Sequence, residues 1–305
     1  STMDWIGIVG ERTRIIKSTE TEIVTQRDKK VSVRCVRDPL LMPFDRIELS
    51  ETAKLVSLDE NTACIFVGTS LKFLDISDPR RPLQLGNCVI PGNPPGAFLR
   101  HNDLVLATNW NGQADTQQLH VIDVADRANP ELLVSLDTPR GATNYDLIAA
   151  GSMVYLANAY GLRIISLSDP RAPELKANFR CRGRWVRGVD LVETTAYVAT
   201  SMHGDASWLQ LIDLSNPASP KELGLYRSAG GSQDVAVVDQ TAFLADRANG
   251  LLAVDVSDPT NLKRVGYLKT DGRANEVHAV GDLVFVVIGK ASRSVLKLAQ
   301  YNGPR

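Results

Sequence analysis

Most of the features that would mark a chemical function are missing from this sequence. It has four cysteines, Cys35, Cys64, Cys88 and Cys181, with no C-x-x-C pair and no histidine run beside them, so neither a zinc site nor a disulfide framework is indicated. They read instead as small buried residues in strands. The four histidines are scattered, and G-x-S-x-G, H-E-x-x-H, P-loop and G-x-G-x-x-G patterns are all absent. No apolar run is long enough to span a bilayer and no signal-peptide pattern follows Met3, so membrane insertion is not expected. A cytoplasmic location is the default, with export after loss of a leader left open. A formal net charge of −1 leaves no basic excess to attract nucleic acid. What remains is 44% hydrophobic and 23% charged over 305 residues, the composition of a globular chain with ample core.

What is present is a repeated phrase. VSVRCVRDPL from Val31, LKFLDISDPRRP from Leu71, LHVIDVADRANP from Leu119, LRIISLSDPRAP from Leu162, LQLIDLSNPASP from Leu209 and LLAVDVSDPTNL from Leu251 are six copies of one pattern. Their turn-opening residues Asp38, Asp78, Asp126, Asp169, Asn216 and Asp258 recur at the 40-odd-residue period of propeller blades. One copy reads as four strands, 234–239, 241–245, 251–257 and 263–268, each rich in β-branched or apolar residues and bounded by turn residues. Asp-Pro after the third strand suits a type I turn, because Asp favours its first position and Pro fixes the next φ near −65°. Gly161 and Gly250, before the third strand, suit turns with positive φ.

The ends extend the pattern. The last copy supplies three strands, 276–280, 283–288 and 294–299, and lacks a fourth, while 4–9 reads as an isolated strand ahead of a complete first unit at 13–17, 22–26, 30–37 and 44–49. Pairing the first strand with the last unit would leave no open edge. The expected fold is all-β: one seven-bladed β-propeller over 1–305, with four-stranded antiparallel blades at about 11–50, 51–92, 93–141, 142–183, 184–230, 231–273 and 274–305 plus strand 4–9. The phrases LHVIDV, LQLIDLSNP and AFLADRANGLLAVDVSDP resemble the LVIVD repeat, a bacterial and archaeal propeller-forming repeat, over roughly Leu55 to Val287. The resemblance implies a propeller and carries no established activity or catalytic residue. The first unit departs from it, with Arg34 and Cys35 where others carry Ile-Asp.

In up-and-down blades the first-to-second and third-to-fourth strand connections lie on one face, so the Asp-Pro turns mark a regular face. The opposite face carries longer loops, 109–118 with Trp110 and 202–208 with His203 and Trp208, and long loops on rigid scaffolds are where binding resides. Arg140, Arg182, Arg184, Arg187, Arg227 and Arg273, interleaved with Trp185 and Tyr145, fall in or beside the interblade connections of that face. Guanidinium forks fit carboxylate or phosphate, so an acidic peptide or protein is a suitable guest; the alternative is that these arginines are solvated or pair with nearby Asp137, Asp146, Asp234, Asp271 and Glu276. Asn144, Asp146, Asp234, Asn275 and Glu276 should crowd the channel mouth, where oxygens from several blades would be the ligands of a calcium ion in the alternative reading of a hydrolase. His101 and His278 on inner strands and His120 in a third strand read as core imidazoles. The reading favours a non-enzymatic binding or scaffold propeller with no cofactor and no catalytic residue, and keeps a calcium-dependent hydrolase or ligand-binding propeller as its alternative.

Overall fold

A computed structural model describes residues 3–11, 14–18, 22–27, 30–35, 43–48, 53–59, 61–78, 81–111, 116–138, 144–183, 185–202, 206–290 and 293–301. Among them the chain forms seven four-stranded antiparallel sheets, each from strands consecutive in sequence except the last. Predicted and observed strands of the copy read above agree closely: Asp234–Val238, Thr241–Ala245, Leu251–Asp255 and Lys263–Leu268. The first strand, Met3–Glu11, pairs antiparallel with Arg293–Tyr301 and lies at the edge of the sheet that also holds Arg273–Val280 and Leu283–Lys290. The first unit, where the repeat was least regular, forms Arg14–Ser18, Glu22–Arg27, Lys30–Cys35 and Pro43–Glu48.

Side chains alternate between the two faces of a strand, and here both faces are covered. Val121 therefore packs with Leu147 and Leu156 of the following sheet, while its neighbour Ile122 packs with Phe66 and Phe73 of the preceding one. The same layering recurs between later sheets, around Ile164 and Val198, around Leu211 and Leu244, and around Ala253 and Val286. The core is thus a series of intersheet layers rather than one centre, which explains why second strands such as Thr62–Val67 are buried almost throughout. Cys64, Cys88 and Cys181 are buried free thiols in these layers, and burial pushes the Cys64 and Cys181 thiols up to about 12.

The repeated phrase has a local cause. In each D-x-S/A-D/N unit the first carboxylate accepts the backbone N–H two residues on, as Asp123 does from Ala125, Asp213 from Ser215 and Asp255 from Ser257, at 2.8–2.9 Å. The second carboxylate or amide repeats the move, and its carbonyl accepts from the residue three positions on, as Asp258 does from Thr260 and Asn261. Two consecutive Asx turns thus reverse the chain. These hydrogen bonds hold the Asp126, Asp213, Asp255 and Asp258 carboxyls below the usual carboxylate range. The predicted positive φ is found at Gly161, 149°, and Gly250, 82°. A less obvious requirement falls on Gly224, in an outermost strand: a Cβ there would lie 2.0 Å from the Pro259 carbonyl oxygen of the next sheet's turn. No helix among the described residues is long and apolar enough to cross a membrane.

Candidate functional site

The innermost strands are Arg14–Ser18, Lys54–Asp59, Phe98–His101, Asn144–Ala150, Trp185–Val192, Asp234–Val238 and Arg273–Val280. Each touches the next in this order, and the last touches the first. Between them lies a cavity of about 680 Å³ whose polar lining includes Tyr145, Asp146, Arg187, Gln233, Asp234 and Glu276. Three of these strands change register at one equivalent position, between Asn144 and Asp146, Val186 and Gly188, and Ala274 and Glu276. A bulge re-aims the extra residue. The extra residues are Tyr145, Arg187 and Asn275, and all three line the cavity.

Arg187 is the centre of the rim. Its guanidinium carbon lies 4.3 Å from the Tyr145 ring centroid and 5.2 Å from that of Trp185. Its Nε donates to Ser201 Oγ at 3.3 Å, and among the described residues it forms no ion pair. A guanidinium stacked on two aromatic faces is fixed in orientation while its in-plane donors remain available to an anion.

The carboxylates below it are already engaged. Asp146 accepts from Leu147 N at 2.8 Å and, across to the next sheet, from Val189 N at 3.0 Å. Asp234 accepts from Val235 N and from Val277 N, both at 2.9 Å. Asp190 does the same with Leu191 N at 2.8 Å and Val237 N at 2.7 Å. Each carboxylate therefore staples its innermost strand to the following one. Burial, opposed by these amide bonds, pushes the Asp146 carboxyl up to about 7, with Asp190 and Glu276 adding repulsion. Asp234 is raised well above its ordinary value by burial and by Asp146, and Asp190 is raised by burial.

Of the residues expected at the channel mouth, Asp146, Asp234, Asn275 and Glu276 line one cavity, while the side chain of Asn144 lies outside the description. Both oxygens of Asp146 and of Asp234 accept an amide hydrogen bond, which weakens them as ion ligands, and no group of three or more His, Cys, Asp or Glu among the described residues is placed to hold a metal ion. The predicted arginine pairings also change. Arg182 is exposed and donates to Glu222 at 3.3–3.5 Å, while Asp137 accepts from Gln118 and Asp271 pairs with Lys297. Trp208, half-buried, lies across the strand pair from exposed Arg227, and exposed Arg273 opens the last innermost strand opposite Gly289. Trp110 lies in the strand Leu104–Asn111, opposite Gln117, with its side chain outside the description. Arg140, Arg184 and His203 lie outside the described residues.

Among the histidines, His120 is fully buried, with Nδ1 2.8 Å from Ser135 Oγ and Nε2 2.9 Å from Asn109 Oδ1, as a core imidazole should be. His101 reaches the Gly151 carbonyl at 2.7 Å. His278 differs from expectation: it lines the channel cavity half-buried, without a hydrogen bond among the described residues. Sequence reasoning missed Asp190 and Gly188. A lone carboxylate in the apolar run GVDLV was the available signal for the first. For the second only packing reveals the need, since a Cβ on Gly188 would lie 2.5 Å from Asp234 Oδ1.

Comparison with known proteins agrees with this architecture. Residues 52–89, 183–228 and 229–270 match the LVIVD repeat. Among solved structures, the Pan2 WD40 domain of Neurospora crassa superposes with a TM-score of 0.70 at 13% identity, covering 99% of this chain and 96% of that one. A chain of the Mitotic Checkpoint Complex gives 0.69 at 11% identity, covering 94% and 89%, and the computationally designed Ika8 protein 0.62 at 8%, covering 94% and 96%. At such identities the likeness establishes the propeller fold and nothing finer. No curated protein matches the chain.

Proposed function

We propose that this chain, a β-propeller carrying LVIVD repeats, is a non-enzymatic binding module that docks an acidic segment of a partner protein on the rim around Trp185, Arg187 and Arg182. The observation that carries the reading is Arg187, held between Tyr145 and Trp185 at the mouth of the cavity and unpaired among the described residues. A carboxylate arriving there meets a pre-oriented fork, so little side-chain entropy is lost on binding. Burial raises the Asp146 and Asp234 carboxyls, which lowers the negative charge of the mouth and so reduces repulsion of an acidic guest. Trp110, Trp208, Arg140, Arg184, His203, Arg227 and Arg273 belong to the same proposed face. As scaffold we take seven blades with the predicted boundaries, closed into a ring by the first strand. Support comes from the cyclic order of contacts among innermost strands and from the pairing of Met3–Glu11 with Arg293–Tyr301.

Fluorescence anisotropy with a labelled glutamate-rich decapeptide and a lysine-rich control tests the reading. The acidic peptide should bind in a salt-dependent manner, and an Arg182→Glu/Arg187→Glu variant should lose at least tenfold affinity with its Tm unchanged. Equal binding by the variant, or preference for the basic peptide, rejects it.

A further inference from the structure

A second cavity, of about 880 Å³, opens beside the fourth sheet and is not part of the channel. Its lining includes Tyr160, Arg163, Asn178, Phe179, Arg180 and Trp185. Tyr160 is 60% exposed, in the turn Asn158–Gly161, and Arg180 is exposed at the end of the outermost strand Glu174–Phe179. Arg163 is the third residue of Gly161–Ser166, opposite Leu156 on one side and Asn178 on the other.

The repeat makes Arg163 unusual. Its position is occupied by His120 in the third sheet and Gln210 in the fifth, and both are fully hydrogen-bonded. His120 bonds Ser135 and Asn109, while Gln210 donates to Glu222 and accepts from Arg182 N. Asn158, the counterpart of Asn109, commits its Oδ1 to the turn amides of Tyr160 and Gly161. Arg163 is left with Nε and Nη1 buried and without a hydrogen-bond partner, and neither it nor Arg180 forms an ion pair among the described residues. Arg163 is half-buried, with two donors shut away without partners and Nη2 left accessible, so an anion at Nη2 would offset the poorly compensated charge. Three aromatic side chains in the same lining favour a flat ring beside that anion, because ring faces stack on one another and on guanidinium planes.

We propose that this cavity is a second binding site, for a small molecule that joins a carboxylate or phosphate to a planar ring, with Arg163 and Arg180 taking the anion and Tyr160 or Trp185 the ring. The site goes beyond the rim proposed above, since neither Arg163 nor Arg180 lines the channel cavity.

Isothermal titration of the whole chain with AMP, benzoate, adenosine and inorganic phosphate tests it. AMP or benzoate should bind, adenosine and phosphate at least tenfold more weakly, and Arg163→Met should lose at least tenfold affinity for the charged ring compound. Methionine keeps the aliphatic stem without the unpaired charge, so Arg163→Met should match or exceed wild type in Tm without ligand; Arg163→His, which restores the residue of the third sheet, serves as a second folded variant lacking the guanidinium. Binding should survive Arg273→Ala, at a residue of the proposed rim face that is outside this lining. No heat with any probe, wild-type affinity for the charged ring compound in both Arg163 variants, or tightest binding by an uncharged ring overturns the proposal.

Discussion

His120 and Asp146 show how one residue's surroundings set the pH dependence of the whole chain. Burial holds the His120 imidazole at about 4, so the unfolded chain takes up its proton near 6.5 while the folded one does not. Its contribution is full above about pH 6.5 and is lost as pH falls toward 4, by about 3 kcal/mol at most. A His120→Gln variant should therefore show a shallower fall in Tm between pH 6.5 and 4, and parallel profiles would contradict this assignment. Asp146 works in the opposite sense. Its carboxyl is raised to about 7, so its contribution is full below about pH 4 and declines as pH rises through 7. The stability margin of wild type over Asp146→Asn should shrink from pH 5 to pH 8, as chemical denaturation at both pH values would reveal. Backbone strain is local too: Glu193 occupies a left-handed turn position at φ 52°, where the equivalent residues include Gly151 and Gly281. Glu193→Gly should raise stability by about 1 kcal/mol, and a loss in urea denaturation would show that its side chain has an unrecognised role.

At the scale of elements, the sheets were legible because their strands obey local rules, whereas the joints between sheets were not. The four strands from Asp234 to Leu268 could be read from apolar runs and Asp-Pro turns, since both signals act within one unit. Gly224 could not, because its constraint comes from the Pro259 carbonyl in a different sheet. Gly224→Ala should cost about 2 kcal/mol or more by forcing that joint apart. Gly151→Ala, with no atom within 4 Å of the added Cβ, should cost only the roughly 1 kcal/mol of its positive φ; equal losses for the two would remove the close-approach argument. The candidate site was half legible for the same reason. The gathering of Asp146, Asp234 and Glu276 followed from the repeat period. Their amide partners and the bulges that aim Arg187 depend on register, which a single strand does not reveal. Arg163 was hidden deepest, because its lack of a partner arises only when Asn158 turns its oxygen to the loop.

For the molecule as a whole, the edge of the last sheet rests on one strand. Removing residues 3–11 would leave Arg293–Tyr301 with an unpaired edge, and exposed edges pair with other chains. The truncated protein should elute as dimers or larger species in size-exclusion chromatography and melt at lower temperature. A monomer with unchanged Tm would show that the last sheet does not depend on this strand.

The same pairing sets a clock on biosynthesis. Met3 leaves the ribosome nearly 300 residues ahead of its partner Tyr301, so the opening strand waits while the intervening strands are made. At roughly 5 to 20 residues per second that interval is about 15 to 60 s. Six sheets have the time to assemble while one ribbon of unsatisfied amides stays available to any neighbour, which makes the nascent chain a client for chaperones until Arg293–Tyr301 emerges.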